Sequence, residues 1–120
     1  MSGTLYKVCD RREWEEAKIA GAYDGAPVDL ADGFIHFSTA AQLPETLAKH
    51  FSGRDGLVLL AVPVAALTEA GLQEALKWEV SRGGALFPHL HAPLPAAAVR
   101  LEEPLSLAPD GTHLLPDLAD

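Results

Sequence analysis

Asp32-Gly33-Phe34-Ile35-His36-Phe37-Ser38-Thr39 reads as a short buried strand that hands one histidine and two hydroxyls to the start of a helix. Phe34, Ile35 and Phe37 favour extended backbone, and Asp32-Gly33 is a turn signal just ahead of them. Alternation puts His36 opposite Ile35 and Phe37, on the side of Phe34 and Ser38. Polar residues that close an apolar strand are a common place for ligand groups. A second polar-aromatic stretch, Trp78 to His91, holds most of the other candidate chemistry. The two stretches are expected to face one cleft.

Working outward, Thr4 to Cys9 alternates as a first strand. Asp10 reads as the N-cap of a helix, with Glu13 completing a capping box and Gly21 as the stop. Tyr23 to Gly33 holds Asp24-Gly25 and Pro27 and is expected to be a loop over the site. Thr39 and Gln42 form another capping box, while Pro44 moves the main part of that helix to about Leu43. Leu57 to Val62 is a near-continuous apolar strand of the kind buried on both faces. Val64 to Leu67 fits a single helical turn. Leu76 to Val80 and Leu86 to Leu90 are strands flanking Ser81-Arg82-Gly83-Gly84, and Ala98 to Glu102 is expected to be the last strand. From Pro104 the prolines and Asp110-Gly111 suggest a loosely held tail. Strands and helices without a regular βαβ rhythm give an α+β class. One domain over residues 1–120 is expected, with an ordered core at about 4–103 and the tail at 104–120.

Composition narrows the partners. The chain has 120 residues, with 17 acidic against 9 basic side chains and a net charge of −8. That argues against binding a nucleic-acid backbone, which needs a basic face, but not against a small anion held by a local cation. Cys9 is the sole cysteine, so no internal disulfide forms and a reducing compartment fits. The start of the chain lacks the pattern of a signal peptide, and the longest apolar run, Leu57 to Leu67, is broken by Pro63. The expectation is a soluble, cytoplasmic protein with no membrane partner.

His36 with Ser38 and Thr39 could bind a ribose or phosphate, helped by the free N–H groups of a helix start. The alternative is that the hydroxyls cap the helix and His36 is a core residue. Arg82 could clamp a carboxylate or phosphate beside Gly83, where a backbone can approach closely, or it could be a solvated turn residue. Glu79 is a candidate base or stabiliser of a cationic centre, or else a surface glutamate. His89 and His91 share one strand face, and with His36 could in principle make a three-histidine metal site, although spacing is its only support and no metal is assigned. The candidate catalytic residues are therefore Glu79 and His36. The candidate ligand-binding residues are His36, Ser38, Thr39, Arg82, Gly83, Phe87, His89 and His91.

These same segments carry a resemblance. Phe34-Ile35-His36-Phe37-Ser38-Thr39, Lys77-Trp78-Glu79, Ser81-Arg82-Gly83-Gly84 and Leu86-Phe87-Pro88-His89-Leu90 resemble the signature of a family of small bacterial proteins, domain of unknown function 952. His91 stands where that family usually has tyrosine. The family in turn is distantly similar to the ADP-ribosyltransferase fold, in its RNA 2′-phosphotransferase branch. Ile35-His36-Phe37-Ser38 matches the Ile-His-Leu-Ser strand there. Tyr6-Lys7-Val8-Cys9 departs from Tyr-His-Gly-Thr, with Lys7 in place of the histidine that touches the NAD ribose. The resemblance implies small split sheets around a cleft, two main helices, and NAD as the possible cofactor.

Three functions compete. The first is a nucleotide-like anion site for NAD or an ADP-ribose-type ligand, in an enzyme or a degenerate enzyme of ADP-ribosyl transfer. There Glu79 would sit near the reacting ribose, where a carboxylate stabilises an oxocarbenium-like centre. The second is a non-catalytic module for a small metabolite or peptide. The third is a histidine-based metal-dependent hydrolase. Sequence leaves open whether any reaction is catalysed, and which protein, if any, is a partner.

Overall fold

The computed structural model describes residues 3–120, with the side chain of Arg82 outside the described residues. In chain order the elements are β1 (Thr4–Asp10), α1 (Arg11–Ala20), β2 (Ala22–Tyr23), α2 (Pro27–Asp32), β3 (Ile35–His36), α3 (Leu43–His50), β4 (Leu57–Pro63), α4 (Val64–Glu69), β5 (Leu76–Ser81), β6 (Ala85–Leu90), β7 (Leu94–Pro95), β8 (Leu101–Leu107) and β9 (His113–Leu114). Among the described residues three antiparallel sheets form, in the orders β1-β4-β8-β9, β2-β7 and β3-β6-β5. The first and third meet through an isolated bridge, Tyr6 to Ser38. This is the α+β class expected from the sequence.

β4 explains the two-sided core. Val58, Leu60 and Val62 enter one buried cluster with Leu5, Cys9, Trp14, Ile35 and Phe37. Leu57, Leu59 and Ala61 enter another with Tyr6, Val8, Leu43, Leu47 and Leu105. A strand apolar at every position is what burial on both faces requires.

The caps behave as their chemistry dictates. Asp10 accepts from the backbone N–H groups of Arg12 and Glu13 at 2.8 and 3.4 Å, and Gly21 closes α1 at φ 94°. Thr39 and Gln42 form a reciprocal box, N–H to side-chain oxygen in each direction at 3.1 and 3.2 Å. It closes the turn ahead of α3, which starts at Leu43 with Pro44 in its first turn.

Three expectations give way. Residues 23–33 are not a loop throughout: they hold Tyr23 of β2 and the whole of α2. Pro27 starts the helix, where its missing N–H costs nothing, and Gly33 ends it at φ 86°. The last long strand is β8 rather than Ala98 to Glu102, because Ala96–Ala98 forms a 3₁₀ turn. Pro104, where a tail was expected to begin, sits inside β8 opposite Val58. By the alternation of the ladder, its missing N–H faces the side away from β4, at a point β9 does not reach. Beyond it β9 pairs back onto β8, Leu115 and Leu118 pack on the second cluster, and the Tyr6 hydroxyl donates to the Ala119 carbonyl at 2.8 Å.

Candidate functional site

Past the Tyr6–Ser38 bridge a cavity of about 630 Å³ opens between the first and third sheets. Lys7 and Val8 of β1 line it beside His36, Phe37 and Ser38. Leu43 and Thr46 of α3 close one side, Phe87 and His89 of β6 another, and Phe51 with Arg54 stand at the turn after α3. The short β3 places its histidine here because Ile35 is committed to the core and alternation turns His36 the other way.

Asp29 organises one end. Its residue is 1% exposed, yet its two oxygens take the Lys7 ammonium at 2.8 and 3.0 Å, the Ala26 N–H at 2.8 Å and the His36 N–H at 3.1 Å. They also take His36 Nδ1 at 2.6 Å. Burial pushes its carboxyl up, but the His36 hydrogen bond and the Lys7 charge outweigh that and hold its pKa at about 2. Lys7 is itself only 6% exposed, so neither charge is solvated and each depends on the other. His36 Nε2 faces Asp32 at 3.0 Å, so this ring lies between two carboxylates. With a proton on both nitrogens it satisfies both.

His89 is held differently. Phe34 stacks on its ring at 4.2 Å between centroids and 23° between planes, and His36 meets it edge-on at 5.3 Å. Its Nδ1 lies 2.9 Å from Glu79 Oε1, and the same oxygen takes His91 Nε2 at 2.7 Å. Those two hydrogen bonds hold the Glu79 carboxyl below the usual glutamate range. The carboxylate can only accept, so Nδ1 carries a proton, and in the neutral ring Nε2 is left with its lone pair. Nε2 is buried and has no partner among the described residues.

The sequence candidates therefore divide. His36, Ser38, Phe87 and His89 line the cavity. Thr39 does not: it serves the capping box, as the structural alternative had it. Ser38 Oγ is 2.8 Å from Thr46 Oγ1 rather than acting as a helix cap. Glu79 and His91 stand behind His89 and do not line the cavity, so Glu79 is placed to orient a histidine rather than to face a reacting centre. Gly83 supplies the φ of 67° that the turn between β5 and β6 needs. The Arg82 side chain, on which the expected clamp rests, lies outside the described residues. Of the three histidines of the metal idea, His36 turns both ring nitrogens to carboxylates, and His89 and His91 turn one each. Among the described residues, no group of three or more His, Cys, Asp and Glu side chains is arranged to hold a metal ion.

The sequence reading missed Lys7, Asp29, Asp32 and Arg54. Lys7 had a visible signal, since alternation puts it on the face of Leu5 and Cys9, which is a core face. Arg54 stands over the Phe51 ring at 5.2 Å, exposed, and makes no ion pair with a described carboxylate. Cys9 is inert by comparison, its thiol pushed up to about 12 by burial.

Among the described residues, no helix is long and apolar enough to cross a membrane. The chain is similar to protein CC0527 of Caulobacter crescentus. Its crystal structure is 50% identical, with 92% of this chain and 93% of that one covered and a TM-score of 0.82. The solution NMR structure of CC0527 is 52% identical over 91% and 90% of the two chains, with a TM-score of 0.76. No curated protein matches. The family model described as protein of unknown function (DUF952) matches residues 8–101, and the chain belongs to that family.

Proposed function

We propose that the cavity binds a small organic anion, with a hydrogen-bond donor of the ligand reaching His89 Nε2 and its anionic group resting against Arg54. One observation carries this reading: His89 lines the cavity, is 4% exposed, and holds a buried ring nitrogen without a partner. A buried polar atom left unpaired costs roughly 1–3 kcal/mol, and a donor on a bound molecule recovers that. Glu79, Phe34 and the strand pairing fix the ring beforehand, so the ligand need not order it.

Charge limits the ligand. Lys7 is already neutralised by Asp29, and Asp10, Glu13 and Asp32 also border the cavity. That leaves Arg54 as the described cation available for an anion, which favours one phosphate or carboxylate over a polyphosphate. Nucleoside monophosphates fit this class. NAD and ADP-ribose carry a diphosphate, which this charge balance disfavours, and enter only through the ADP-ribosyltransferase resemblance of the His36 strand. The geometry favours binding over ADP-ribosyl transfer, because Glu79 is engaged by two histidines.

Calorimetry with AMP, ADP-ribose and NAD tests the reading. AMP is expected to bind, with Arg54→Ala and His89→Ala each weakening it about tenfold or more, or about 1.4 kcal/mol. If none of the three binds the folded protein at millimolar concentration, the reading is overturned.

A further inference from the structure

β5 is the edge of its sheet, and nothing among the described strands covers its outer side. It has no proline and no bulge, and apart from Lys77 and Glu79 on one face it presents apolar side chains. Val80 is 69% exposed, Trp78 38%, and Leu86, across from Val80, 52%. These three share one face of the β5–β6 hairpin. Lys77 and Glu79 occupy the other, and Lys77 makes no ion pair among the described residues.

The backbone parity of the edge follows from Pro88. Pro88 has no N–H, and its carbonyl accepts from Phe37 on the β3 side at 3.0 Å. Its partner Trp78 is therefore in a non-hydrogen-bonded pair with β6, and the N–H and C=O of Trp78 and Val80 point outward.

The geometry points to a second copy of this chain as the occupant of that edge, with β5 pairing antiparallel to its own counterpart about a two-fold axis at Trp78. In this register Trp78 meets Trp78 as a hydrogen-bonded pair, which the outward-pointing groups allow. Leu76 meets Val80 on the apolar face. On the other face Lys77 meets Glu79 of the second copy, in the closer, non-hydrogen-bonded pairing of about 4.5 Å between Cα atoms. The sequence Leu76-Lys77-Trp78-Glu79-Val80 is thus complementary to itself in both hydrophobicity and charge, as an isologous contact requires. The contact also brings a lysine from one copy to the carboxylate that orients His89 in the other.

Sedimentation equilibrium over a dilution series tests this, alongside hydrogen exchange on the unmodified protein. A dimer is expected, and the Trp78 and Val80 amides should exchange more slowly as protein concentration rises. Lys77→Glu puts a second carboxylate opposite Glu79 and is expected to weaken dimerisation about tenfold or more, whereas Lys77→Arg preserves it. Val80→Pro removes an outward N–H without touching a β5–β6 hydrogen bond and should also give monomer, with helical circular dichroism retained. A protein monomeric at every concentration overturns the proposal and leaves the edge to a strand from another protein. A dimer unmoved by both Lys77→Glu and Val80→Pro overturns it too, as does concentration-independent exchange at Trp78.

Discussion

Replacing Asp29 by asparagine is expected to destabilise the protein by about 3–5 kcal/mol, the cost of breaking a buried ion pair by removing one partner. The substitution changes a single atom, but that atom matters. Both carboxylate oxygens accept, from Lys7, Ala26 and two nitrogens of His36, and an amide would aim N–H groups at some of these donors. Lys7, at 6% exposure, would be left as an unpaired buried charge. Urea unfolding measures the loss. Adding Lys7→Met to Asp29→Asn removes the stranded charge, so the double variant should recover roughly 1–3 kcal/mol relative to Asp29→Asn alone.

The same group makes the protein acid-sensitive. Its pKa is about 2 in the fold against an ordinary 3.8, so the native state holds the carboxylate more tightly than the unfolded chain does. A depressed folded pKa contributes stability that is complete above the unfolded value and fades as pH falls through the folded one. The contribution is roughly 2 kcal/mol, present at neutral pH and lost as the pH falls from about 4 toward 2. The Asp29→Asn variant should lack this part of the acid transition.

Gly25→Ala should have the next largest effect, roughly 2–4 kcal/mol from backbone strain and overpacking together. A Cβ there would lie 2.6 Å from Asp29 Cβ, and the backbone is held at φ +119°. Relief of the clash means moving the side chain that four donors hold in place. Gly33→Ala is the control: its φ is +86°, but no atom lies within 4 Å of the added Cβ. Strain alone, about 1 kcal/mol, is expected there. Thermal unfolding of the two variants side by side separates clash from conformation.

The parts of this fold that were legible in the sequence are those set by local chemistry. The Asp10 cap, the Gly21 stop, the apolar run of β4 and the glycine turn between β5 and β6 each depend on residues within a few positions of one another. The face of His36 was legible too, because Ile35 and Phe37 settle it. What could not be read depends on partners far along the chain. Lys7 looked like a departure from a family motif, and its partner is 22 residues away. α2 is six residues long and opens on a proline, so its composition is that of a turn. Pro104 reads as a stop, yet a proline is harmless where the ladder needs no donor, and only the register shows that. Glu79 was expected near a reacting ribose, and it stands behind His89 instead, outside the cavity lining. The sequence could not show that two imidazoles would share its oxygen.

The central claim is that His89 is held by Glu79 so that its far ring nitrogen can read a ligand. Nitrogen-15 NMR of the His89 imidazole during a titration with AMP tests it most directly. The result expected is a proton on Nδ1 before any addition, and an Nε2 resonance that moves as AMP binds and stops moving when the protein saturates. An Nε2 resonance that stays fixed while AMP saturates the protein would contradict it, as would a free-state ring protonated on Nε2 alone.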